Sequence, residues 1–157
     1  MIVVSEEVRE ASAVVALETT LIAHGFPGGE GVAVGLESER LVREAGAVPA
    51  TIGVLDGELR VGLTEDELTR FDAGARKVGP RDLAACVVQG AIGATTVGGT
   101  LAACRVAGIG FLGTGGIGGR IAGRRFFFGH GGRREFDDLF VVTPKAGGPP
   151  SVVRLKY

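Results

Sequence analysis

The chain has 157 residues, room for one ordinary domain, and its 45% apolar and 22% charged residues exclude a disordered polymer. No stretch nears the roughly 20 uninterrupted apolar residues that cross a membrane, and Met1–Ala13 lacks the basic segment and apolar core of a secretory signal, so a cytoplasmic protein with no membrane partner is expected. The net charge of −1 conceals a split: residues 1–119 carry 9 basic and 15 acidic side chains, and residues 120–157 carry 8 and 3.

Val14-Val15-Ala16-Leu17 is a short apolar run ending at Glu18, which predicts a buried strand. Turn residues follow through His24-Gly25-Phe26-Pro27. Gly31 to Ala45 predicts a helix with Val34, Ser38, Leu41 and Ala45 on its inner face, and Gly46 suits a left-handed stop. Ala50–Leu55 and Glu58–Val61 predict a hairpin around Asp56-Gly57. Thr64 and Glu67 form a capping-box pattern for a helix to about Ala73. Lys77 falls in the following connection, and Pro80 suits the first turn of a helix through Val88. Thr95–Ala107 predicts a helix and Ile109–Leu112 a strand running into the glycines of residues 113–119. Strands alternating with helices predict an α/β fold, a layered α/β/α domain with a mostly parallel sheet. After Gly119 the periodicity fades, and an irregular C-terminal tail is expected.

Composition narrows the chemistry. Cys86 and Cys104 have neither C-x-x-C spacing nor a His beside them, which excludes a zinc knuckle and a disulfide scaffold. Glycine, 28 residues, shows no G-X-Y period. The tail is basic, but its Arg pairs are interleaved with Gly, so no nucleic-acid partner is expected.

Glu18 ends a strand, where α/β folds place ligands, and burial there would raise its pKa and suit it to acid catalysis; spacing alone favours a surface carboxylate. His24 reads as a loop hydrogen-bonder and Lys77, taken alone, as a solvated side chain. Gly113, Gly115 and Gly118 spell G-x-G-x-x-G, with Asp137 and Asp138 about 20 residues on. That fingerprint must open a helix, and Arg120–Gly132 shows no helical period. A backbone nest for an anion needs less context.

Together the segments resemble the pseudouridine-5'-phosphate glycosidase family, also called indigoidine synthase A-like. The resemblance rests on V-A-L-E-T-T-L-I-A-H-G-F-P (15–27), the stretch from R-E-A-G-A-V-P-A-T-I-G to L-T-E-D-E-L (43–68), K-V-G-P-R-D-L (77–83), G-A-T-T-V (93–97) and T-G-G-I-G-G (114–119), in family order and at family spacing. It covers about residues 12–119. It implies Glu18 as proton donor, with Lys77 and Val97 as substrate contacts. The implied reaction reversibly cleaves the C–C glycosidic bond of pseudouridine 5'-phosphate to uracil and ribose 5-phosphate. The resemblance also implies a divalent metal, usually manganese (Mn2+), a sugar held as a lysine imine, and a homotrimer.

The resemblance stops at Gly119. The family continues V-H-R-G-A-E, then a metal-binding Asp in F-D-[IV]-S-A-D and a nucleophilic Lys in A-G-A-K-S. None is alignable here, so no metal ligand is assigned and the nucleophile is not carried onto Lys145 of P-K-A-G-G. Residues 120–125, written in G/C-rich codons as CGC ATC GCG GGG CGG AGG, read His-Arg-Gly-Ala-Glu in a shifted frame. The expectation is therefore residues 1–119 as the N-terminal part of a glycosidase domain and residues 120–157 as a frameshifted tail, with activity impaired. The alternatives are a non-catalytic remnant and a Gly-rich dinucleotide- or phosphate-binding module. Gly79, Gly98 and Gly99 replace larger residues of the family, and a helix-interior Gly costs ~0.5–1 kcal/mol relative to Ala.

Overall fold

The computed structural model describes the backbone of residues 1–121, 124–129, 138–143 and 151–156, and the side chains of residues 1–115. In chain order it comprises β1 (Ile2–Val4), α1 (Glu6–Glu10), β2 (Val14–Glu18), α2 (Thr20–His24), a 3-10 turn (Pro27–Gly29), α3 (Gly31–Glu44), β3 (Val48–Leu55), β4 (Glu58–Val61) and α4 (Glu65–Leu68). There follow β5 (Arg76–Val78), α5 (Leu83–Val88), β6 (Gly93–Thr95), α6 (Val97–Ala107), β7 (Phe111–Thr114), β8 (Gly116–Ile121), β9 (Arg124–Gly129), β10 (Asp138–Thr143) and β11 (Ser151–Lys156).

The main sheet runs β1-β4-β3-β2-β7-β10-β11. It is parallel at its centre, where β2 lies between β3 and β7. It becomes antiparallel outward, through the β3–β4 hairpin on one side and β10 on the other. β2 pairs with β3 as far as Glu18 opposite Ile52, and β6 then takes over that edge of β3, with Ala94 opposite Gly53. β5 adds to β6 in parallel. β8 and β9 form a separate antiparallel ribbon.

Side chains of a strand alternate between faces. Ala16, Ala50, Ile52 and Leu112 therefore meet Val8 of α1 and Ala103 and Cys104 of α6 on one face, where Val54 also meets Cys86 of α5. Leu55 points the other way, into a second core with Ile22 of α2, Leu68 of α4 and Phe71, flanked by Val32 and Leu36 of α3. This is the α/β/α layering expected from the alternation of elements.

Local signals set several boundaries as predicted. Thr64 and Glu67 make the reciprocal capping box. Asp56 and Gly57 both have positive φ, 53° and 75°, the twist that closes a two-residue hairpin. At the end of α3 the Gly46 amide donates to Arg43 O and the Ala47 amide to Val42 O, the Schellman pattern.

Other expectations are corrected. α3 buries Gly31, Gly35 and Val42 rather than the Val34–Ala45 stripe. A Cβ at Gly31 would lie 1.8 Å from Ile22 O, and one at Gly35 2.6 Å from Ile22 Cδ1, so α3 packs on α2 through its missing side chains. Hydropathy patterning cannot see such a face. α4 stops at Leu68 and not near Ala73, because Phe71 turns into the core and Asp72 Oδ1 accepts from the Gly74 amide at 2.8 Å. Lys77 lies on β5 and not in a connection, Pro80 precedes α5, and residues 93–95 are β6 with α6 starting only at Val97. The glycine run continues from β7 into strand β8, and the described backbone of the tail includes β9, β10 and β11.

Candidate active site

Glu18 is the last residue of β2 and shares its face with Ala16, the face that α6 covers. The ladder between β2 and β7 pairs Leu17 with Gly113, which puts Thr114 beside Glu18 at the carboxyl ends of two parallel strands. The Thr114 hydroxyl, itself buried, donates to Glu18 Oε1 at 2.7 Å. The backbone amide of Val97, the first residue of α6, and the Lys77 ammonium also act on the same carboxyl, favouring its charged form. All three favour the carboxylate. Burial opposes them and dominates, so the Glu18 pKa is raised above the ordinary glutamate value. The result is a carboxyl biased toward its neutral, proton-holding form beside an exposed cation.

The two threonine pairs after β2 and β6 build this corner. Thr19 and Thr95 both donate their hydroxyls to Ile52 O, at 2.8 and 2.6 Å, and the Thr95 amide donates to Thr19 Oγ1 at 2.8 Å. Thr100 of α6 donates to Thr95 Oγ1 at 2.9 Å, and Thr20 donates to Ala94 O at 3.1 Å. These bonds stitch the end of β2 to β6 and α6 where the β2 ladder ends. Thr96 caps α6, accepting from the Gly99 amide and donating to Val78 O. A Cβ on Gly99 would come within 2.5 Å of Val78 O. The glycine is therefore the residue that lets α6 approach β5, and the expected penalty for Gly there is replaced by a requirement. His24 donates from Nε2 to Ala75 O at 3.0 Å, which ties down the segment leading to Lys77; it does so from the last turn of helix α2 and not from the loop that was expected.

Around Glu18 the structure thus places Thr114, the part of the glycine run that bonds to it, while Val97 on α6 and Lys77 on β5 act on its carboxyl from two further elements. Sequence reasoning passed over Thr114 because it sits among glycines and its partner lies 96 residues away. The dinucleotide reading of Gly113, Gly115 and Gly118 is not supported: Gly113 lies in β7 and Gly118 in β8, so no helix N-terminus follows to receive a pyrophosphate. Asp137 and Lys145 lie outside the described residues, and of Asp138 only the backbone, opening β10, is described. Among the described residues no group of three or more His, Cys, Asp or Glu side chains could hold a metal ion. No manganese ligand is assigned among those residues, and no chemical step is routed through the ion. Among them, too, no helix is long and apolar enough to cross a membrane.

Residues 3–125 match the family model described as indigoidine synthase A like protein. A pseudouridine-5'-phosphate glycosidase of Streptomyces griseus is 53% identical over 121 residues, covering 73% of this chain and 38% of that protein. One from Saccharopolyspora erythraea is 44% identical over 153 residues, covering 94% of this chain and 48% of that protein, so its match runs past residue 125. The crystal structure of the prealnumycin C-glycosynthase AlnA in complex with ribulose 5-phosphate superposes with a TM-score of 0.63 at 42% identity, over 76% of this chain and 40% of that one. The chain spans less than half the length of these relatives. With a matched model over most of its residues, the chain belongs to the indigoidine synthase A-like family.

Proposed function

We propose that the chain carries the proton-donor part of a pseudouridine-5'-phosphate glycosidase site. What supports this reading is the Glu18 carboxyl, held by the Thr114 hydroxyl at the end of β2 and pushed toward its neutral form by burial. Cleaving the C–C glycosidic bond leaves an electron pair on the uracil ring carbon, which must take up a proton, while water supplies the hydroxyl gained by the sugar. A carboxyl whose pKa is raised above the ordinary glutamate value holds its proton to higher pH and is the better suited to that transfer. Lys77 offers a positive charge to the anionic ribose 5-phosphate portion, and Val97 contacts substrate from the first turn of α6. The names of the relatives, pseudouridine-5'-phosphate glycosidases, agree with this chemistry.

The reading takes manganese as an activator, a homotrimer as the assembly and the cytoplasm as the setting; assays of the frame-restored gene product with and without manganese, and light scattering of that product, test the first two. Calorimetric titration with ribose 5-phosphate and separately with NAD tests the substrate class. The expected result is saturable binding of ribose 5-phosphate that weakens at least tenfold in Lys77→Met, a loss of about 1.4 kcal/mol. Binding of NAD in place of ribose 5-phosphate would sink the proposal and restore the dinucleotide reading.

A further inference from the structure

We propose that Thr114 is the positioning residue of the acid: its hydroxyl holds Glu18 Oε1 and so fixes the plane in which the carboxyl presents its other oxygen for proton exchange. The inference rests on the reading of Glu18 as proton donor, and it adds a residue that the resemblance did not supply. Three observations carry it. Thr114 and Glu18 are neighbours across a parallel ladder, on one face and at the same end, so the contact is set by strand register and not by a mobile side chain. The Thr114 side chain is buried, whereas Lys77, the charged group that acts on the carboxyl among the described residues, is exposed and on a different element. A neutral hydroxyl also orients the carboxyl without the strong pull toward ionisation that a close ion pair would exert. A donor at Oε1 assigns the proton of the neutral acid to Oε2, because an oxygen accepting that bond is the poorer site for a second proton.

The test is a carboxyl-carbon NMR titration of the full 157-residue chain, with the Glu18 signal assigned by its loss in Glu18→Gln. Thr114→Val keeps the shape and removes the hydroxyl, and Thr114→Ser restores the hydroxyl. The proposal expects Glu18 to titrate at higher pH in Thr114→Val, since a bond to the ionised form is gone, and to return to the native position in Thr114→Ser. An unchanged Glu18 titration in a folded Thr114→Val chain overturns it, as does a Ser variant that behaves like the Val variant. If Thr114→Val does not fold, the native chain decides: the Thr114 hydroxyl proton signal should move as Glu18 titrates, and one that stays fixed across that range overturns the proposal. The reading beneath it fails differently. Full activity of the frame-restored product with Glu18→Gln would remove the proton-donor role and leave the Thr114–Glu18 coupling measured by NMR untouched.

Discussion

Burial around Glu18 outweighs a hydroxyl, a backbone amide and a nearby ammonium, each of which favours the ionised carboxyl. A glutamate with a raised folded-state pKa binds its proton more tightly in the native chain than in the unfolded one. Native stability is then lost as pH rises from the unfolded glutamate value through the raised one, because ionisation costs more in the folded state. Glu18→Gln removes that loss. In paired urea denaturations, Glu18→Gln should gain stability relative to the native chain on going from pH 4 to pH 7.5. Glu39 also has a raised pKa, from burial that outweighs the bond from the Thr51 hydroxyl, but it is present in both proteins and cancels from the difference. A stability difference independent of pH would show that Glu18 is not held toward its neutral form.

At the scale of elements, the corner between β2, β6 and α6 depends on hydroxyls and on a missing side chain. Helix propensity alone favours Ala over Gly by about 1 kcal/mol at an interior helical position. In α6 the two glycines should part company. At Gly98 the nearest atom to an added Cβ is Pro80 Cδ at 3.3 Å, a ring carbon near the surface. At Gly99 it is Val78 O at 2.5 Å, a backbone atom fixed by β5. Gly98→Ala should be neutral to slightly stabilising, and Gly99→Ala should destabilise by about 1–3 kcal/mol in chemical denaturation. Equal effects at the two positions would mean that α6 does not seat as closely on β5 as described. Thr19→Val belongs to the same corner: it leaves the Thr95 amide without its acceptor and should cost about 1–3 kcal/mol.

For the whole molecule, what could be read beforehand divides by physical cause. β2, the Asp56-Gly57 hairpin and the Thr64 capping box were legible because their signals are local. Glu18 was legible as a strand-end carboxylate, but its protonation bias depends on α6 and β7, which no spacing rule brings together. Lys77 and Val97 carried no local signal and entered only through the resemblance. β6 went unread because Gly93-Ala94-Thr95 is short and has one branched residue, Thr95, which reads as the start of the next helix; its place on β3 is held by Thr95 and Thr19 hydroxyls. The buried face of α3 was hidden because it is made of glycines. The tail stands apart: its charge reverses at Gly119, the family model ends at residue 125, and the Saccharopolyspora match continues beyond it. The proposed frame change is decided by sequencing the gene across the Gly119 codon, where a downstream frame reading His-Arg-Gly-Ala-Glu is expected. A continuous family-unlike frame there would end the idea.

Uracil release from pseudouridine 5'-phosphate, followed by chromatography with manganese present, tests the central claim most directly. Three proteins are compared: the 157-residue chain, the product of the frame-restored gene, and that product with Glu18→Gln. The account predicts little or no uracil from the first, turnover by the second, and a loss of roughly 100-fold or more in the third, the scale of a missing general acid. Turnover in the third protein equal to that of the second would contradict it.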